Sequence, residues 1–381
     1  MTPAAFSRPD DRTGALLTID LAAIVANWRT LKRVAGPACE VGAVVKADAY
    51  GLGLTPVAQA LKTAGCTIFY VAHVDEGMAL RAAVGADPRI LVMHGPNPGT
   101  ERDFVAHNLI PVLSTPQQIA GWRKFAQGAD VLMDSVVQVD TGMNRLGLTL
   151  REFETHINDP GGFVGLHAWA LMSHLACAET PAHPMNAQQR ERFASALSAF
   201  RSRFPDAKGS LANSSGLFLG RAFCFDMARP GVALYGVNPT PGSANPMVPV
   251  VRLQAKVLQV RRVDAAAPVG YGAAHMAPDG AKLATVSMGY ADGLLRAWSP
   301  AGRAYLDDLA VSIAGRVSMD LTTFDVSNVP DSSLGPNAMI DIIGTKHTVD
   351  DVAREAGTIG YEVLTSLGQR YVRRYLPATR T

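Results

Sequence analysis

Five short segments place reactive side chains beside glycines or at the ends of apolar runs. The first is Val44-Val45-Lys46-Ala47-Asp48-Ala49-Tyr50-Gly51-Leu52-Gly53. A lysine that closes an apolar strand is partly desolvated, and burial lowers an amine's pKa. Such an amine can form a Schiff base with an aldehyde cofactor. Four residues on, Tyr50 could reach back to a phosphate, and the flanking glycines allow a tight turn. The blander alternative, a lysine snorkelling at a strand end, stands beside this one.

The second segment, Val139-Asp140-Thr141-Gly142-Met143-Asn144-Arg145-Leu146-Gly147, puts an arginine just past a strand end. Its planar fork suits a carboxylate or a phenolic oxygen, although an arginine in a turn can simply face water. His174 in Met172-Ser173-His174-Leu175 ends another run, and a lone histidine there is commonly structural. Ser214 in Ala212-Asn213-Ser214-Ser215 is a helix cap, or a phosphate ligand if that terminus faces a pocket. The fifth segment, Met227-Ala228-Arg229-Pro230-Gly231-Val232-Ala233-Leu234-Tyr235-Gly236, offers the amides of Gly231 and Val232 beside Ser214. None of these signals is decisive singly.

The elements that must position them follow from hydrophobic pattern. Leu21, Ile24, Val25, Trp28 and Leu31 recur at helical spacing after Asp20, a good N-cap residue. Apolar runs at Val41–Lys46, Thr67–Ala72, Arg89–His94, Ile110–Ser114, Val131–Asp140, Phe163–His174, Gly209–Asn213 and Asp226–Gly236 alternate with helical patterns. About eight strand candidates, each with a helix candidate, match the size and unit count of a (β/α)8 TIM barrel. A doubly wound open sheet would have similar periodicity. Such a barrel collects its chemistry where strands end and loops begin, and often binds phosphate after its last two strands. Past Gly236 a Pro/Gly/Ser/Asn-rich stretch, Asn238 to Pro249, reads as a linker. Beyond it Val250–Val263, Leu283–Met288, Leu309–Ala314, Thr322–Val326 and Met339–Ile343 predict a mainly β C-terminal domain, with Thr348 and Asp351 capping a short helix. The expected division is residues 12–240 and residues 241–381.

Composition excludes several classes. The net charge of +2 in 381 residues, without a long run of one sign, argues against binding to nucleic acid or a membrane surface. No apolar run is long enough to span a bilayer, and the start of the chain lacks a signal-peptide pattern. The four cysteines have neither disulfide-framework nor zinc-site spacing, and the nine histidines show no HxH or HExxH pattern, so no metal is expected. A cytoplasmic, soluble chain is predicted.

Taken in order, the segments AVVKADAYGLG, DTGMNRLG, SHLA, ANSSG and RPGVALYG resemble the alanine racemase family. So do GYG at 270–272, GYADG at 289–293 and GRVSMD at 315–320. The resemblance spans nearly the whole chain. It implies a homodimer that binds pyridoxal 5'-phosphate and interconverts L-alanine and D-alanine by two-base proton transfer, supplying D-alanine for peptidoglycan. Lys46 would hold the cofactor covalently and act as one acid/base group. Tyr271, from the other subunit, would be the second. Tyr50, Ser214, Gly231 and Val232 would bind the phosphate, Arg229 the pyridine nitrogen, and His174 would support Arg229. Arg145 and the backbone of Met319, the latter from the partner chain, would position the substrate carboxylate and the cofactor's phenolate edge.

Two positions depart from the family pattern. Where many members carry a carbamylated lysine that braces the arginine, this chain has Gln138, whose amide could still accept a hydrogen bond from Arg145. Where some members place a tyrosine by the phosphate, Gln369 stands. These changes leave open a racemase of broader or different range, such as one acting on serine. A non-catalytic pyridoxal-phosphate carrier would have no use for the C-terminal motifs.

Overall fold

The structure is a computed structural model that describes residues 12–129, 134–299 and 301–378. Residues 131–133 of the expected run Val131–Asp140 lie outside the described residues. Two compact units share the chain. One comprises residues 24–234 and 238–248; the other takes residues 235–237, the chain from 249 onward, and the N-terminal stretch up to residue 23.

The strand β1 (Ala15–Asp20) alternates buried and half-buried residues. Asp20 then caps the helix Leu21–Ala35, accepting the Ala23 N–H at 2.9 Å. In the first unit, buried Trp28 of that helix donates its indole N–H to the Val41 carbonyl at 3.0 Å.

That unit is a closed parallel barrel. Its segments are β2 (Glu40–Val41), β3 (Ala43–Val44), β4 (Ile68–Val71), β5 (Arg89–Val92), β6 (Ile110–Leu113), β7 (Asp134–Gln138), β8 (His167–Met172), β9 (Lys208–Ser210) and β10 (Met227–Ala228). β2 and β3 are two halves of one strand interrupted at Gly42. β2 pairs with β10 and β3 with β4, so the nine segments make eight strands and the ring closes. The strands β4 and β6 are buried at every position, as a parallel sheet covered on both faces requires.

Helices Leu54–Thr63, Val74–Val84, Glu101–Ala106, Pro116–Ala129, Leu150–Asn158 and Pro184–Arg201 follow β3 to β8 in turn. The last two crossovers differ from the helix expected beside each strand. β9 is followed by the 3-10 turns Gly216–Leu219 and Arg221–Phe223, and β10 by Val232–Tyr235. Glycine stops both, since Gly220 and Gly236 take φ of 109° and 86°, which ends a helix. On the long helix Pro184–Arg201, Phe193 and Phe200 are fully buried, and Phe204 packs on Phe200 at 4.8 Å just past its end.

In the second unit β11 (Val251–Arg262) is the spine. It is followed by a hairpin of β12 (Ala267–Val269) and β13 (His275–Ala277). Then come β14 (Lys282–Val286), β15 (Arg303–Leu306), β16 (Leu309–Ile313), β17 (Thr322–Asp325), β18 (Met339–Ile343) and β19 (Val372–Leu376). Register shifts at Leu253/Gln254 and Val257/Gln259 bend β11, so its first half pairs with β18 and its second half with β14. The order β14-β17-β16-β15-β18-β11 then returns to β14, closing a second, smaller ring. β1 joins this unit, antiparallel to β11 and parallel to β19, although it lies inside the 12–240 segment expected in the barrel. Its half-exposed alternation suits an antiparallel sheet with one wet face better than a barrel strand buried on both. Thr348 caps the helix Val349–Ala356 through a reciprocal pair with Asp351.

Closure of the barrel has little room at its seam. A Cβ on Gly42 would stand 2.7 Å from the Tyr70 ring and 2.8 Å from the Ile68 carbonyl oxygen. Gly42→Ala should therefore lower stability by roughly 1–3 kcal/mol through overpacking. Calorimetry of the purified variant reads this as a lower thermal midpoint; an unchanged midpoint would mean that the seam moves freely.

Candidate active site

Lys46 stands two residues past the end of β3, and the chain then does something its residue types do not announce. Ala47, Asp48, Ala49 and Tyr50 all take φ between 53° and 57°, one left-handed turn. Each L-residue held there costs about 1–2 kcal/mol. The turn is held from several sides: Ala49 N–H donates to the Val45 carbonyl at 3.0 Å, and Gly53 N–H to that of Asp48 at 2.9 Å. The Asp48 carboxylate accepts the Leu54 N–H at 2.7 Å. Tyr50 is buried by this path, and burial pushes its phenol above the usual tyrosine range.

The Lys46 amine enters a cavity of about 400 Å³ at the carboxyl ends of the strands. Arg145, His174 and Arg229 line it, with Gln138 and the apolar Met93, Leu146 and Met172; His94 is there too. Burial, and then the Arg145 charge, hold the Lys46 amine below the ordinary lysine range, while Glu76 opposes them. Arg229 is pushed down to about 10 by burial, so it remains a cation at neutrality. It donates to the Ser210 hydroxyl at 2.5 Å and the Ser173 carbonyl at 2.6 Å, and lies 3.5 Å from the His174 Nδ1. Burial and the Arg229 charge, with Arg145 and Lys46 behind them, push His174 down to about 3. A neutral His174 can therefore accept from Arg229 at Nδ1. Gln189 ties the neighbouring loops together, donating to the His174 carbonyl at 2.8 Å and to the Thr141 hydroxyl at 3.3 Å.

Arg145 sits on a loop whose ends are locked together. Asp140 N–H donates to Leu148, and Leu148 N–H to Gln138, both at 2.8 Å. The Asp140 carboxylate accepts the N–H groups of Gly142 and Met143. Gln138 braces this loop by a different route from the one expected. Its amide donates to the Leu146 carbonyl at 2.9 Å, one residue past Arg145, in place of accepting from the guanidinium. The cause is reach: the peptide of Leu146 comes back over the strand end that carries Gln138.

Tyr50, Ser214, Gly231 and Val232 come together in the same unit. The Ser214 hydroxyl accepts the N–H of Gly231 at 3.0 Å and of Ala233 at 3.3 Å, on either side of Val232. A Cβ on Gly231 would collide with the Tyr50 hydroxyl. Two hydroxyls and a run of amides thus converge, the chemistry of an anion cradle.

Tyr271 and Met319 belong to the β-rich unit and are exposed there, at 73% and 54%. Tyr271 opens the 3-10 turn at the tip of the β12–β13 hairpin, where the Arg316 guanidinium lies 3.2 Å from the place a Cβ on Gly272 would occupy. The Met319 loop is docked on the GYADG turn: Tyr290 and Ala291 N–H groups donate to the Ser318 and Met319 carbonyls at 3.0 and 2.9 Å. Any Cβ on Gly289 would strike those carbonyls. Arg370 clasps both loops, with two bonds to the Asp292 carboxylate at 2.7 and 2.9 Å and one to Asp320 at 2.7 Å. Gln369 faces Arg373, accepting from it at 2.9 Å. Arg370, Arg316, His94 and Glu76 escape a reading of the sequence. Arg370 is one of three arginines within five residues, and nothing in that spacing distinguishes it.

A closed parallel barrel with a basic cavity at the carboxyl ends of its strands, followed by a β-rich unit, defines a (β/α)8-barrel enzyme. Comparison with known proteins makes this specific. Residues 19–239 match the model of the alanine racemase N-terminal domain and residues 250–375 that of the C-terminal domain. The chain is 49% identical to the alanine racemase of Rhodospirillum rubrum over 96% of its own length and 97% of that protein. It is 47% identical to a catabolic alanine racemase of Mesorhizobium japonicum over 95% and 93%. The crystal structure of alanine racemase from Bartonella henselae with covalently bound pyridoxal phosphate superposes with a TM-score of 0.89 at 38% identity, covering 95% of this chain and 99% of that one. The chain belongs to the alanine racemase family.

The His174 environment has a consequence for acid stability. An unfolded histidine takes up a proton near pH 6.5, whereas the folded one resists until about 3. Its neutral form therefore favours folding above pH 6.5, and that contribution is lost as the pH falls toward 3. His174→Gln should make the decline of the thermal midpoint across this window shallower. Parallel slopes for variant and wild type would contradict the assignment.

Proposed function

We propose that this chain interconverts L-alanine and D-alanine by proton transfer through Lys46 and Tyr271, with pyridoxal 5'-phosphate held on Lys46 and each active site shared between two copies in a homodimer. The observation that carries the reading is the cavity itself. A desolvated lysine shares it with two arginines and a neutral histidine, and no carboxylate is among its lining residues. Such a site suits a ligand carrying a carbonyl and several negative charges.

The residues present fit the cofactor. Tyr50, Ser214 and the amides of Gly231 and Val232 would take its phosphate, Arg229, supported by His174, would serve the pyridine nitrogen, and Lys46 would hold it covalently. Bound pyridoxal phosphate supplies the electron sink that makes an amino acid's Cα proton removable. Released once the substrate's amino group takes its place, the Lys46 amine would take or return that proton on one side, helped by being less basic than an ordinary lysine. Arg145 and the Met319 backbone orient the substrate carboxylate.

Tyr271 does the corresponding work from the opposite side, as the partner subunit's contribution. A free phenol, with a pKa of about 10, is a poor base near neutrality and needs a cation beside it. The Arg316 guanidinium lies beside the same turn. The exposure of Tyr271 and Met319 is in keeping with a partner subunit that covers them.

We place the activity in the cytoplasm and assign its product to peptidoglycan; among the described residues no helix is long and apolar enough to cross a membrane. A catabolic role is the second reading, favoured by the name of the Mesorhizobium relative. Deleting the gene separates the two, since a biosynthetic role leaves the cells dependent on added D-alanine. Gln138 keeps a wider substrate range in view, and a panel of L-amino acids assayed for the D-enantiomer resolves it.

Lys46→Ala and Tyr271→Phe should each lower turnover by about 10²–10⁴-fold, the usual worth of a positioned acid or base. Wild-type turnover in either variant would overturn the two-base assignment. Activity per chain should also fall on dilution below the dimer constant, as light scattering and assay together can show. A fully active monomer would refute the shared site.

A further inference from the structure

The residue that follows Lys46 is tied to a carboxylate from another part of the barrel. Glu76, third in the helix Val74–Val84, accepts the Ala47 N–H on Oε1 at 2.7 Å. Its Oε2 accepts the N–H groups of Ala72 at 2.7 Å and His73 at 3.1 Å, the two residues that follow β4. The Ala72 carbonyl in turn accepts the N–H of His94 at 3.1 Å, and His94 lines the same cavity as Lys46. One carboxylate therefore joins two backbone segments at the barrel mouth, and the Ala72 carbonyl ties in a third.

Its position matters because Ala47 begins the left-handed run. Four consecutive L-residues at φ near +55° persist only where surrounding bonds over-determine them. Asp48 and Val45 hold the far part of the turn, and Glu76 takes hold of it at its first peptide. Hydrogen bonds to an ionised acceptor are the strong ones. A helix cap alone needs only the bonds to Ala72 and His73; the bond to Ala47 does nothing for the helix.

We propose that Glu76 is a positioning residue for Lys46: it fixes the left-handed turn that sets where the lysine's amine stands. This rests on the reading of Lys46 as the cofactor lysine. The charge of Glu76 acts in the same place, since it is the group that raises the proton affinity of the Lys46 amine against burial and Arg145. Glu76→Gln keeps the size but offers one acceptor oxygen and an NH2 group. Either Ala47 or the Ala72–His73 pair then faces a donor instead of an acceptor.

The test uses the full-length chain titrated with pyridoxal phosphate, followed by borohydride reduction and peptide mass spectrometry to locate the labelled lysine. Glu76→Gln should weaken cofactor binding by about tenfold or more, in keeping with what a small misplacement of a reacting group costs. Glu152→Gln is the control, because Glu152 caps the helix Leu150–Asn158 in the same manner away from Lys46. It should lower the thermal midpoint and leave cofactor affinity unchanged. Adding Ala47→Gly to Glu76→Gln should restore part of the affinity, since glycine adopts the left-handed conformation without the Cβ penalty.

Wild-type affinity in Glu76→Gln, or a loss that Ala47→Gly leaves untouched, would reduce Glu76 to a helix cap and overturn the proposal. Label found on a lysine other than 46 in the wild-type protein would instead remove the reading beneath it. If Glu76→Ala fails to fold, the isosteric Gln variant still supplies every measurement.

Discussion

An amine can act as a nucleophile and as a proton carrier only if its position is set to a fraction of an ångström, and a lysine side chain has four rotatable bonds with which to evade that. This chain answers with backbone. Lys46 lies just past a strand locked into a closed ring, and the next four residues, none of them glycine, are bent into a left-handed turn. The conformation is costly by itself. It survives because hydrogen bonds hold it at both ends: Glu76, on the helix after β4, accepts the Ala47 N–H, and the Asp48 carboxylate accepts the Leu54 N–H just beyond the turn. Tyr50 packs so closely on Gly231 that a Cβ there would collide with its hydroxyl.

Charge organises the rest of the cavity. Lys46, Arg145 and Arg229 line one half-open cavity together with methionine, leucine, glutamine and histidine. Burial, and then the Arg145 charge, lowers the proton affinity of Lys46; burial, and then the neighbouring cations, lowers that of His174. The outcome is a division of labour: guanidinium groups stay charged, the histidine becomes neutral, and the lysine is brought nearer to its neutral form. Arg229 is held by the Ser210 hydroxyl, the Ser173 carbonyl and His174, with no carboxylate among these partners. It keeps its charge for an electronegative ligand atom.

In the β-rich unit the same economy of means appears in loops. The GYADG and GRVSMD motifs are far apart in sequence and are joined by two backbone bonds that a side chain on Gly289 would prevent. Arg370 then fastens the assembly by gripping Asp292 with two nitrogens and Asp320 with the third. The motifs look like signatures because each needs specific small or acidic residues to meet the other. Met319, within GRVSMD, stays exposed on this base.

Much of this was legible in the residues alone. Short apolar runs separated by helical patterns point to a parallel sheet covered on both faces, whether barrel or doubly wound, and the pairing of β2 with β10 and of β3 with β4 decides for the barrel. Lys46, Arg145, His174, Ser214 and Arg229 are visible as polar groups at the ends of such runs, and the barrel's geometry brings all run ends to one face. What the chain order could not disclose were matters settled by contacts between distant segments. The left-handed turn after Lys46 contradicts local preference and exists only through its partners. Glu76 and Arg370 look like ordinary surface charges until the fold places backbone amides or carboxylates around them. β1 leaves the neighbouring barrel for the other unit's sheet because its pairing partners, Val251–Ala255 and Val372–Leu376, lie more than two hundred residues away. Local pattern decides which elements form; the acceptors and donors that arrive from far along the chain decide what each polar side chain does.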